Sequence, residues 1–155
     1  MRGRLAVLIA AALLTLLPVN SPGVSEAAKR CTVVANLNGT YVFAATGFGT
    51  PPGGSSPTAP KAIIEVISFN ADGTVDTPKV TLSVNGTVIN ESPGSSGTYT
   101  IDTSTANGVC TGTLNFNGGA PNFDIYFGPS GDSDISLIQT DKGNVFRGTA
   151  TRRAH

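Results

Sequence analysis

Beyond residue 30, apolar residues recur at alternate positions along the chain, without a convincing 3.6-residue period, and clusters of Gly, Pro, Asn, Ser and Thr interrupt them every eight to twelve residues. A period of two places successive side chains on opposite faces of an extended strand, and the interruptions supply turns, so the pattern predicts an all-β chain. The strands it predicts are Thr32 to Ala35, Thr40 to Thr46, Ala62 to Phe69, Val75 to Val84, Gly97 to Asp102, Val109 to Phe116, Asn122 to Phe127, Ile135 to Thr140 and Val145 to Thr151, eight or nine in all. Asp72-Gly73, Asn85-Gly86, Asn107-Gly108 and Asn117-Gly118 stand at the joints, where tight hairpins need positive φ, so neighbouring strands are expected to pair antiparallel. Asn38, Asn85 and Asn90 open glycosylation sequons and are read as turn residues.

Two departures from simple alternation carry information. Pro78 interrupts a good strand, and its missing N–H predicts a bulge or an edge position there. Ala62 to Ile67 is apolar in both registers, which predicts a strand covered on both faces, by the core on one side and by a loop, a helix or another copy of the chain on the other. Gly47 to Pro60 is almost entirely Gly, Pro, Ser and Thr and reads as a mobile loop, a candidate lid at a barrel mouth. A barrel and a sandwich both satisfy this pattern.

The first residues do not fit it. Arg2 and Arg4 precede an apolar run from Leu5 to Leu17, then Pro18 and small residues, with Ser25 and Ala27 spaced as a cleavage site requires. Residues 1–27 are expected to be a signal peptide and residues 28–155 a single β-barrel domain, exported to the periplasm or the medium. The apolar run is short of the roughly 20 residues that span a bilayer, so no membrane anchor is expected. Cys31 and Cys110 are the only cysteines, and in an oxidising compartment they are expected to form one disulfide.

The expected mature chain loses Arg2, Arg4 and Glu26, leaving eight basic and nine acidic side chains and a formal charge of −1. Its Lys and Arg are scattered singly apart from pairs at the two ends, which argues against nucleic acid as a partner. Hydrolytic triads lack a base, because the one histidine is the terminal His155. The same shortage of ligands argues against a metal site. Asn70 to Asp76 and Asp132 to Asp134 place oxygen donors at alternate positions but read as plain turns. No cofactor is expected.

Glu65 is the most informative charged residue, since it lies mid-strand between Ile63 and Ile67. Facing a cavity, it would have a raised pKa and serve as acid, base or anchor for a ligand hydroxyl; outside, it would pair with a cation such as Arg147. With Asp124 it would form a two-carboxylate pair if the two came close. Tyr41, Phe43, Tyr99, Phe123, Tyr126 and Phe127 are candidate pocket or core aromatics. By parity Tyr41 and Phe43 share one face of their strand, and Asp124 and Tyr126 share one face of theirs. The candidate ligand-binding set is therefore Tyr41, Phe43, Glu65, Tyr99, Asp124 and Tyr126, with Glu65 the candidate catalytic group. The absence of Trp argues against a sugar platform.

Gly39-Thr40-Tyr41, the run Ser68-Phe69-Asn70-Ala71-Asp72-Gly73-Thr74-Val75, Gly97-Thr98-Tyr99-Thr100, Cys110-Thr111-Gly112-Thr113, and Thr140-Asp141-Lys142-Gly143-Asn144-Val145 with Gly148-Thr149-Ala150 follow in an order that resembles bacterial secreted proteins of the allene-oxide-cyclase barrel-like family. The resemblance covers nearly the whole mature chain. It departs at Asn70, where the family usually has aspartate, and in one extra residue before Asp72-Gly73. It implies an eight-stranded antiparallel calycin-like barrel with an apolar cavity, and carries over no reaction. Three functions are compatible with such a barrel. The first is non-catalytic binding of a small apolar or amphipathic molecule, in a cavity with one or two polar groups. The second is a cyclase or isomerase using Glu65. The third is a barrel filled by its own side chains, whose outer apolar face joins copies into a homo-oligomer.

Overall fold

A computed structural model describes residues 31, 37–102, 109–119, 121–128 and 131–154; the expected signal peptide, the expected strand Thr32 to Ala35, the Asn107-Gly108 turn and His155 lie outside them. Nine strands run through the described residues: β1 (Gly39–Gly49), β2 (Ala59–Phe69), β3 (Thr74–Val84), β4 (Thr87–Glu91), β5 (Ser96–Asp102), β6 (Thr111–Phe116), β7 (Asn122–Gly128), β8 (Gly131–Gln139) and β9 (Asn144–Arg152). All pairings are antiparallel, in the order β2-β1-β9-β8-β7-β6-β5-β3-β4, and a further β2–β3 pairing closes eight strands into a barrel, with β4 attached to β3 outside the ring. Closure decides for the barrel over the sandwich.

Alternation sorts the side chains. Tyr41, Phe43, Ile67, Phe69, Leu114, Ile125, Ile135, Leu137 and Phe146 point inward and are buried. Asn85 (φ 49°) with Gly86 (83°), and Asn117 (φ 50°) with Gly118 (70°), hold both central turn residues at positive φ, the geometry whose twist matches that of the flanking strands. At Gly148 a Cβ would collide with the Ala44 carbonyl oxygen and the Ala45 Cβ, so glycine lets β9 press against β1 at a barrel corner.

Pro78 sits at the predicted bulge. Between Val66 and Ser68 the β2–β3 register shifts, Val66 facing Lys79 and Ser68 facing Asp76, so Thr77 and Pro78 together oppose Ile67. At the same point β3 changes partner on its other side. It pairs with β5 only from Thr74 to Asp76, and with β4 from Val80 onward. Thr77 bridges the gap, its N–H and hydroxyl donating to the Ser95 carbonyl at 3.0 and 2.6 Å, while the Gly94 N–H donates to the Thr77 carbonyl at 2.7 Å. The barrel wall therefore splays apart where β3 leaves β5.

Four readings are corrected. β4 was not expected; every residue of it is exposed, so it lacks the buried alternation by which a strand is read. Gly47 to Gly49 and Ala59-Pro60 are paired strand ends, which shortens the expected loop to 50–58, and Thr50 ties its start to the Gly143 carbonyl through N–H and hydroxyl at 3.0 and 2.7 Å. Ala62 to Ile67 is covered on one face only: Ile63 and Ile67 turn inward, whereas Ile64 keeps 60% of its surface exposed. Among the sequon asparagines, Asn90 stands in β4 and not in a turn.

Candidate functional site

The two ends of the barrel are built differently. At one, Cys31 and Cys110 are bonded, with Cα atoms 5.3 Å apart, and Leu37 is buried across the end. Phe69 stacks edge-on between Tyr41 and Tyr99, with centroids 5.3 and 5.2 Å away. The Tyr99 hydroxyl lies 2.6 Å from the Leu37 carbonyl oxygen, to which it donates, and 2.8 Å from that of Asn70. Tyr41 is fully buried, its hydroxyl has no hydrogen-bond partner among the described residues, and burial, reinforced by Asp132, pushes its pKa up to about 12. Arg152 forms an ion pair with Asp132 beside it.

Toward the opposite end, which carries the β1–β2, β3–β4, β6–β7 and β8–β9 turns, the interior is hollow. A cavity of about 410 Å³ opens at the splay between β3 and β5. Phe116, Phe123 and Phe146 give it an aromatic wall, with Ile63, Val80 and Leu82 opposite; Lys61, Glu65, Thr77, Glu91, Ser95, Gln139 and Asn144 supply polar groups. It is thus more polar than the one or two groups expected. Its charged side chains from inward registers are Lys61 and Glu65, on one face of β2, and Gln139, at the end of β8, lies beside them.

Glu65 retains 7% exposure, and no hydrogen bond or ion pair reaches its carboxyl among the described residues. Burial pushes its pKa up to about 7, against the opposing pull of Lys61. Burial likewise lowers the pKa of Lys61, opposed by Asp141 and then Glu65. The Lys61 Nζ donates to Gln139 Oε1 at 3.4 Å and stands 4.4 Å above the Phe146 ring centroid. Gln139 is itself fixed, since its Nε2 donates to Asp141 Oδ2 at 2.7 Å. Burial alone would raise Asp141, but hydrogen bonds from Gln139 and from the backbone and side chain of Asn122 hold its carboxyl below the usual range.

Of the sequence-nominated set, Glu65 faces the cavity. Phe43, Glu65's cross-strand neighbour, is fully buried against Phe123, and Tyr41 and Tyr99 belong to the packed end. Asp124 and Tyr126 face outward, because β7 turns Phe123, Ile125 and Phe127 to the interior. Glu65 and Asp124 are therefore on opposite sides of the barrel wall and form no carboxylate pair. Arg147, on the outer face of β9, is exposed and does not meet Glu65. The donors of Asn70 to Asp76 are spent within their turn: Asp72 Oδ1 accepts from the Thr74 N–H and hydroxyl, and Asn70 Nδ2 donates to Thr74 Oγ1 and Asp76 Oδ2. Sequence reasoning missed Lys61 and Gln139. Lys61 was accessible by parity, four positions before Glu65 on the same inward register, whereas Gln139 carried no signal.

A larger concavity, about 790 Å³, lies on the outside of the barrel. Small residues such as Ala44, Ala62 and Gly148 line it together with Ile64, Tyr126, Ile138 and Val88, and Arg147 is its one charged side chain.

No protein-family model matches the chain, and no curated protein matches it. Among solved structures it is similar to one described as a de novo designed fluorescence-activating β-barrel, with 10% identity over 77% of this chain and 97% of that one, at a TM-score of 0.43.

Proposed function

We propose that the protein is an exported, non-catalytic barrel that holds a small amphipathic molecule in its hollow end. The observation that carries this reading is a cavity with an aromatic wall and a buried carboxyl that has no partner of its own. A ligand hydroxyl or amine at Glu65 would supply the hydrogen bond that no described residue gives its carboxyl. About 410 Å³ falls within the usual range for small-molecule sites, and the polar groups at Lys61, Glu65 and Gln139 favour a ligand with one polar end over a wholly apolar one. The amino-terminal apolar run and the disulfide support export, and the order of turn motifs that resembles the allene-oxide-cyclase barrel-like family supports a calycin-like carrier. Native mass spectrometry of the protein purified from its own host tests the reading. A reproducible small molecule released on gentle denaturation is expected; an empty barrel that also excludes environment-sensitive apolar dyes would overturn it.

The outer groove favours a second reading, in which the same face of two copies meets. Ile64, Val88, Tyr126 and Ile138 are exposed there in the single chain, and its one charge leaves little electrostatic bar to self-association. Sedimentation equilibrium is expected to show a dimer that Ile64→Lys dissociates; a monomer at all concentrations would remove this reading.

A further inference from the structure

Resting on the reading of the hollow end as a ligand cavity, we propose that Lys61 captures the carbonyl carbon of an aldehyde or ketone bound there, forming an imine while Glu65 carries the proton. Four features meet at this place. Lys61 lines the cavity, and its Nζ forms no ion pair with any carboxylate of the described residues; its contacts are the long bond to Gln139 and the face of Phe146. An amine is a nucleophile only when neutral, and desolvation favours the neutral form, lowering the pKa of Lys61 against the opposing pull of Asp141 and Glu65. Glu65, in the same inward register of β2, presents an unpartnered carboxyl to the same cavity, with a pKa of about 7 that suits proton transfer near neutrality. Phe116, Phe123 and Phe146 offer an apolar wall for the rest of the carbonyl compound.

The chemistry balances without an oxidant. The Nζ lone pair attacks the carbonyl carbon, the C=O π pair moves to oxygen, and that oxygen takes the Glu65 proton. The nitrogen then releases a proton to the Glu65 carboxylate, giving a carbinolamine. When Glu65 returns its proton to the hydroxyl, the C–O bond breaks and water leaves. The nitrogen lone pair closes C=N and the second nitrogen proton restores the Glu65 carboxyl, so the net reaction is amine plus carbonyl to imine plus water.

The test uses the mature protein, trans-cinnamaldehyde and cyanoborohydride, with peptide mapping of the reduced adduct, whose mass gain is the aldehyde less its oxygen. Binding of cinnamyl alcohol, which cannot form an imine, is measured in parallel. The expected result is an adduct at Lys61 forming at least about tenfold faster than at the exposed Lys79 and Lys142. In Glu65→Gln, capture at saturating aldehyde should slow by about tenfold to a hundredfold, and the fall in rate that Glu65 deprotonation imposes above neutral pH should disappear. Equal labelling of the three lysines, or saturable binding of the alcohol with no adduct at Lys61, would overturn the proposal and leave the cavity reading standing. Saturable binding of neither compound would remove both.

Discussion

The stapled end and the hollow end of this barrel use the same strands but spend their inward positions differently. On β1 and β2, Tyr41, Ile67 and Phe69 go to packing at one end, while Lys61, Ile63 and Glu65 face open space toward the other. The pivot is the bulge at Thr77 and Pro78, beyond which β3 pairs with β4 and leaves β5. β3 pairs with β5 on the disulfide's side of the bulge, and the wall parts on the side where Lys61 and Glu65 face inward. The contrast teaches that the hollow end is free to keep charged groups inside because the stapled end holds the fold.

The largest expected effect therefore falls on the staple. Replacing Cys31 and Cys110 together by serine should cost about 4.5 kcal/mol in the chain-entropy view, given their separation of 79 residues, seen as a lower urea midpoint. Core truncation should divide the two ends next. Phe69→Ala, between two aromatic rings, is expected to cost about 4 kcal/mol, and Leu82→Ala on the cavity wall about 1 kcal/mol, because no new void opens in a packed region. Equal losses would break the comparison.

Glu65 should reverse the usual direction of a core substitution. Between pH 4.5 and about 7 the folded protein holds a proton that the unfolded chain has released, so this group makes stability fall as pH rises through that window. The full cost, on the order of 3 kcal/mol, is present above about pH 7. Glu65→Gln is thus expected to raise the melting temperature at pH 8 and to leave it nearly unchanged at pH 4; a pH-independent loss would contradict the burial of an unpartnered carboxyl. The smallest effects separate two tyrosines of the stapled end. Tyr99→Phe removes the hydrogen bond to the Leu37 carbonyl oxygen and should cost about 1–2 kcal/mol, whereas Tyr41→Phe removes an unpartnered hydroxyl and should be neutral or stabilising by up to about 1 kcal/mol. Chemical denaturation of both variants checks the pair.

Much of the strand frame was legible in the sequence, and rather less of the cavity inside it. Eight strands follow from alternation, two hairpins from Asn-Gly turns, the bulge from Pro78 and the staple from the two cysteines, because each rests on a local constraint that the chain cannot evade. β4 escaped because Val88 and Ile89 bury neither face. Parity grouped Asp124 with Tyr126 and Tyr41 with Phe43, but parity has no sign: which group turns inward depends on closure, a property of the whole sheet. Glu65 was visible as a charge out of place, while the partnership of Lys61 with Gln139 needed the β1–β9–β8 order that brings β2 and β8 around one mouth.

Titration of the protein with an environment-sensitive amphiphile, 1-anilinonaphthalene-8-sulfonate, tests the hollow end most directly when wild type is compared with Leu82→Trp, which fills the cavity from its wall. Saturable, one-to-one, blue-shifted emission in the wild type that Leu82→Trp abolishes, with the far-ultraviolet circular dichroism unchanged, is the predicted result. Equal dye binding by both proteins, or none by the wild type, would contradict an interior site.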